Sequence, residues 1–123
     1  MTVLQSPQAR VAPPPERKID GYTVDVTIGG QLRMRVTTMI TGNRVTGIDI
    51  RAEQIAGSIP DGLLHQLGEM ATVLLRSGYP LEKLVESWRG VWFQPLGHTD
   101  DSDIREVASP LDYIARWLEA TYL

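Results

Sequence analysis

The stretch from 22 to 37, Tyr22-Thr23-Val24-Asp25-Val26-Thr27-Ile28-Gly29-Gly30-Gln31-Leu32-Arg33-Met34-Arg35-Val36-Thr37, alternates apolar and polar residues on either side of a glycine pair. In an extended chain successive side chains point to opposite faces, so Tyr22, Val24, Val26 and Ile28 share one face and Thr23, Asp25 and Thr27 the other. Gly29-Gly30 tolerates positive φ at both positions, as a two-residue hairpin turn requires. Beyond it Leu32, Met34 and Val36 alternate with Arg33, Arg35 and Thr37. Gly42-Asn43 predicts a second turn and Thr46-Gly47-Ile48-Asp49-Ile50 a third strand. Three antiparallel strands with one greasy face need a helical cover.

The rest of the chain supplies that cover. Ser58 and Asp61 are spaced as a capping-box variant with Pro60 in the first turn. Leu63, Leu64, Leu67, Met70, Ala71, Leu74 and Leu75 follow as one wide apolar stripe, and Gly78 stands where a helix C-cap glycine belongs. Pro80 opens a shorter helix with Leu81, Leu84, Val85 and Trp88 inward, and Gly90 closes it. After a polar loop, Ser109-Pro110-Leu111-Asp112 starts a last helix that buries Leu111, Ile114, Ala115 and Leu118. Strands first and helices after predict an α+β fold: a three-stranded antiparallel meander followed by three helices packed on one face. Upstream, residues 1–18 read as a flexible proline-rich arm built around Ala12-Pro13-Pro14-Pro15, leaving 19–123 as a single domain.

Composition narrows the function classes. Hydrophobic residues make up 42% and charged residues 22% of the 123, enough for one real core. No apolar run approaches the ~18 residues a membrane span needs, and the first residues lack the basic and apolar regions of a secretory signal; a cytoplasmic protein without membrane partners is expected. The chain has no cysteine, so disulfides, thiolate metal sites and thiol redox chemistry are excluded together. A net charge of −3 argues against a generally basic nucleic-acid binder but leaves room for a local patch.

Three segments of the second half carry a resemblance. Ser77-Gly78-Tyr79-Pro80-Leu81-Glu82-Lys83-Leu84-Val85 is similar to a Gly-x-Pro-Leu-Glu-x-Leu-Val element. Phe93-Gln94-Pro95-Leu96-Gly97-His98-Thr99 resembles a Phe-x-Pro-x-Gly-x-Thr loop. Ala108-Ser109-Pro110-Leu111-Asp112-Tyr113-Ile114-Ala115-Arg116-Trp117-Leu118 resembles a closing Asp-Tyr-Ile-x-Arg-Trp-Leu helix. Together they resemble the TSCPD domain at the C-terminal end of adenosylcobalamin-dependent ribonucleotide reductases. Two places depart from that pattern: Pro110-Leu111 stands where Cys-Pro would be, and Ala52-Glu53-Gln54-Ile55 replaces a lysine-rich turn. The resemblance implies association with deoxynucleotide synthesis. It does not imply the reaction, which runs through a cysteine thiyl radical in a barrel several times this length. The expectation is therefore a non-catalytic accessory or binding module with no cofactor and no metal. Its expected partner is a protein such as a reductase subunit, with a homo-oligomer as a further option.

The residues themselves offer several chemical candidates. His65 sits near the edge of the first helical stripe, and His98 lies among Asp100, Asp101 and Asp103, where a histidine and carboxylates suggest a metal or acid–base site. The spacing matches neither a calcium loop nor a helical His pair, so a solvated acidic loop is expected. Ser109 reads as a helix N-cap and not a nucleophile, with Asp112 supporting the cap. Arg33, Arg35, Arg44 and Arg51 are candidates for phosphate or nucleic-acid contact on the polar sheet face, against which Asp25 and Asp49 would act as neutralising partners. Trp88 and Phe93 are expected in the core. Trp92 and Trp117 cannot both point inward beside Phe93 and Leu118, so Trp92, Tyr113 and Trp117 form the candidate partner interface.

Overall fold

The computed structural model describes residues 18–52 and 59–123. Strands β1 (Lys18–Ile28), β2 (Leu32–Thr41) and β3 (Arg44–Ala52) form an antiparallel sheet in the order β1-β2-β3. Helices α1 (Ile59–Arg76), α2 (Leu81–Trp88) and α3 (Pro110–Tyr122) follow, with a two-residue ribbon of β4 (Gly97–His98) and β5 (Glu106–Val107) between α2 and α3. The expected α+β meander with three helices is present. The ribbon lies where only a polar loop was expected. Residues 1–17 of the proline-rich arm and Ser58 lie outside the described residues, while Lys18, expected in the arm, begins β1.

The second hairpin turns on the two residues Gly42-Asn43 as expected, whereas the first takes three, Gly29-Gly30-Gln31, one more than the glycine pair predicted. Gly29 and Gly30 adopt φ of 61° and 66°, and Gly42 adopts 63°. Ile28 pairs with Leu32 and Thr41 with Arg44. Val26, Ile28, Met34, Val36, Ile48 and Ile50 are buried on the helix side of the sheet. The pairing carries two irregularities, one between Asp20 and Thr23 and one opposite Met39–Ile40. At the first, Gly21 fits because a Cβ there would lie 2.4 Å from Thr38 Oγ1 and 2.7 Å from the Tyr122 hydroxyl. Those two oxygens are themselves 2.5 Å apart, linking the middle strand to the end of α3.

Helix α1 lies on β3, while α2 packs against α3. Close approach of α1 depends on Gly68, whose absent Cβ would meet the Ile48 carbonyl at 2.8 Å. Thr72 adds a direct tie, its Oγ1 accepting the Ile48 amide at 3.0 Å. The wide apolar stripe expected on α1 resolves into two rows. Leu64, Gly68, Ala71 and Leu75 are buried on the sheet, whereas Leu63, Met70 and Leu74 are exposed, at 62%, 62% and 41%. The two rows are offset by one residue, about 100° of helix rotation, and one strand surface accommodates only one of them.

Helix ends follow the sequence signals. Tyr79 N–H donates to Leu74 O and Gly78 N–H to Leu75 O, a Schellman closure with Gly78 at φ 99°. Ser109 is the N-cap of α3, accepting the Asp112 amide at 3.0 Å, with Pro110 in the first turn. The free edge of β1 is covered in part by the ribbon: Gly29 N–H donates to His98 O, and Asp100 N–H to Thr27 O. Such cover blunts an edge that would otherwise pair with another chain.

Candidate functional site

The polar sheet face is built by the same alternation that makes the core. Arg33 and Arg35 project from β2, and Arg35 stands directly opposite Arg51 of β3 and Asp25 of β1. Arg35 holds Asp25 in a two-point ion pair, Nε to Oδ1 at 2.8 Å and Nη2 to Oδ2 at 3.3 Å. That hydrogen bond holds the Asp25 carboxyl below the usual aspartate range. Arg51 Nε reaches Asp49 Oδ2 at 3.4 Å. Among the described residues two of the three arginines are thus neutralised by neighbours on the face, leaving a surplus of one positive charge with Arg33.

Arg44 does not belong to this face. It follows the Gly42-Asn43 turn at the end of the sheet, and its Nη2 donates to the Leu75 carbonyl at 2.9 Å. A cation on the last carbonyls of α1 complements the negative end of the helix dipole. The four arginines expected together are therefore split into three on the sheet and one helix cap.

Asp100 and Asp101 of the loop from 97 to 106 are engaged by the chain's own donors, within the loop and on β1 and α3. Asp100 Oδ1 accepts the Thr27 amide at 2.8 Å. Asp101 Oδ1 accepts the Asp103 amide at 2.9 Å, and its Oδ2 accepts the Tyr113 hydroxyl at 2.6 Å. His98 is highly exposed and faces Glu106 at 3.7 Å. Among the described residues no group of three His, Cys, Asp or Glu side chains is placed to hold a metal ion. His65 lies on α1 with Nδ1 3.8 Å from Asp49 Oδ1, too far for a hydrogen bond, and that nitrogen is buried without a partner among the described residues.

Tyr113 is not part of a surface patch. It is fully buried, because the start of α3 is enclosed on every side: Pro110, Leu111, Asp112, Tyr113, Ile114 and Ala115 are all buried in sequence. Burial first, and then the neighbouring Asp101 carboxylate, raise its phenol far above the ordinary tyrosine range. Trp117 is half-buried, edge-on to Tyr122 at 6.5 Å between ring centroids. Trp88 is in the core and Phe93 packs partly against it. Trp92 alone of the expected interface trio stands well out, 72% exposed. Its backbone is fixed on both sides, by Val91 N–H on Trp88 O and Phe93 N–H on Ala108 O.

Asp112 is a heavily bonded polar group. Its Oδ1 accepts the Gly90 amide and its Oδ2 the Ala108 amide, both at 2.8 Å, while Arg116 Nε lies 3.1–3.2 Å from the two oxygens. Burial acts to raise its pKa, but the Ala108 and Gly90 amides and the Arg116 charge outweigh it and hold the carboxyl below the usual aspartate range. The sequence showed its cap; the tie to α2, 22 residues away, has no local signal.

An apolar groove of about 320 Å³ runs beside α1, lined among others by Leu63, Leu67, Phe93, Pro95 and Leu111. Among the described residues no charged side chain borders it. Sequence spacing showed the α1 leucines but not that they would stay uncovered.

Sheet, capping knot and ribbon together define a small α+β domain closed by a serine-capped helix. The chain belongs to the TSCPD domain family, whose model matches residues 6–122. It is 39% identical over 67 residues to a vitamin B12-dependent ribonucleotide reductase of Rhodopirellula baltica, covering 54% of this chain and 6% of that protein. The reductase of the same name from Agrobacterium fabrum is 30% identical over 110 residues, 89% of this chain and 8% of the relative. That of Streptomyces coelicolor is 29% identical over 103 residues, 84% and 10%. The chain thus spans a tenth or less of these relatives' lengths. No solved structure matches it significantly. Of the family's name motif, Ser109 and Asp112 are present, and here both hold backbone amides.

Proposed function

We propose that the chain is a non-catalytic binding module of deoxynucleotide metabolism, which docks on a protein partner of the reductase machinery. Trp92 carries the reading. A large aromatic held out on a backbone fixed at both neighbouring residues offers a contact anchor whose main chain loses little freedom when a partner covers it. The alternative, a site for chemistry, has less support. The carboxylates of Asp101 and Asp112 are engaged by the chain's own donors, and no thiol exists. The reading requires no metal and no cofactor. Its test is a titration of the full chain with a B12-dependent ribonucleotide reductase of the same host, followed by tryptophan fluorescence. Saturable quenching that Trp92→Ala removes supports it; no change at any reductase concentration overturns it.

A second reading rests on Arg33, which has no ion-pair partner among the described residues and lies two residues from Arg35 on β2, itself opposite Arg51 of β3. Such a surplus suits one phosphate of a nucleotide or nucleic-acid backbone. It predicts low-salt binding that Arg33→Ala weakens. Absence of any nucleotide or oligonucleotide effect on the sheet-face resonances removes it.

A further inference from the structure

The uncovered row on α1 has a property that the buried row does not use. Leu63, Leu67, Met70 and Leu74 are spaced 4-3-4, which reads the same in either direction along the helix. The row occupies one face, since positions four, seven and eleven residues apart fall within about 60° of one another. Val73 flanks it at 65% exposure, and α1 packs on β3 below while α2 packs elsewhere, on α3. We infer that this row is a homodimer interface, on which α1 of a second copy lies antiparallel about a two-fold axis between residues 68 and 69.

A two-fold axis requires a surface that is complementary to its own reverse. In the antiparallel register set by that axis, Leu63 meets Leu74 of the second copy and Leu67 meets Met70 of the second copy, so all four positions face an apolar neighbour. Any register shifted by one residue turns the row off its partner. The area is also adequate. Leu63, Met70, Val73 and Leu74, exposed at 62%, 62%, 65% and 41%, present roughly 400 Å² of largely apolar surface, the size of the largest patch a monomer leaves bare. Two copies with half-buried Leu67 and the bordering groove bring the total to about 1,200 Å², the lower range of a specific interface. The groove supplies depth beside the row, lined by the same Leu63 and Leu67 together with Phe93 and Pro95.

The absence of cysteine gives a clean test, since any disulfide must come from an introduced residue. Sedimentation of the full chain is expected to show a dimer that Met70→Glu weakens by roughly 100-fold or more, with the thermal melt of the dissociated chain unchanged. Under mild oxidation, a mixture of Leu63→Cys and Leu74→Cys chains is expected to cross-link. Neither alone should do so, because like positions lie about 16 Å apart along the paired helices, beyond disulfide reach. A chain that is monomeric at all concentrations overturns the inference, as does self-cross-linking of Leu63→Cys alone or a dimer indifferent to Met70→Glu. Protection of the row only when a reductase is added also overturns it and assigns the face to that partner. Trp92→Ala should leave the dimer intact, which separates this outcome from that of the proposed docking.

Discussion

The Asp112 carboxylate accepts the Gly90 amide at 2.8 Å, so the residue whose own amide Ser109 caps at the start of α3 also fixes the end of α2. With Ala108 N–H on its other oxygen and Arg116 beside it, Asp112 joins two helices and the loop between them.

Asp112→Asn should therefore cost about 2–3 kcal/mol, because an amide nitrogen would face one of the two backbone N–H donors. The pH dependence has a definite sign. The folded pKa is depressed, so the contribution is complete above the unfolded aspartate pKa and is lost as pH falls through the lower folded value. Urea melts at pH 7 and near pH 2 should show the gap between the native chain and Asp112→Asn shrinking in acid. A gap that stays constant would show that the carboxylate's charge is not what holds the knot.

Gly21→Ala should destabilise by about 1–3 kcal/mol, because the new Cβ meets Thr38 Oγ1 and the Tyr122 hydroxyl. Tyr122→Phe removes one of the two obstructing oxygens. In the double variant the loss should be less than the sum of the single losses, which a double-mutant cycle by chemical denaturation measures.

Gly68→Ala separates helix propensity from packing. On an isolated helix the change stabilises by about 1 kcal/mol. Here the Cβ meets the Ile48 carbonyl, a backbone atom that cannot swing aside, so a net loss is expected. A raised melting temperature would mean that α1 sits further from β3 than described.

Tyr113→Phe leaves the core filled but removes the donor to Asp101, and should cost about 1–2 kcal/mol. The buried phenol, raised well above the ordinary tyrosine range, should not ionise in an alkaline absorbance titration until the chain unfolds. Early ionisation of all four tyrosines would contradict its burial.

Much of this fold was legible from the residues alone. Alternation around Gly29-Gly30 set the sheet and its faces, and Ser109-Pro110-Leu111-Asp112 set the start of α3, because each signal acts over a few residues. The site was less legible, since its determinants are contacts between distant segments. Nothing near Tyr113 tells that Asp101 and the β4–β5 ribbon enclose it. Nothing near Arg44 tells that its guanidinium reaches Leu75 of α1. The α1 leucines showed a helix but not how many rows the sheet would cover, which depends on the width of β3 and the placing of α2 on α3.

The role proposed for this family member is to bind a protein partner without chemistry of its own. The most direct measurement follows the three tryptophan indole N–H resonances of the full chain as a host B12-dependent reductase is added. The account predicts that the Trp92 signal shifts or broadens in a saturable way while buried Trp88 changes little. A Trp92 signal unmoved by saturating reductase, or turnover of a ribonucleotide by this chain alone, would contradict it.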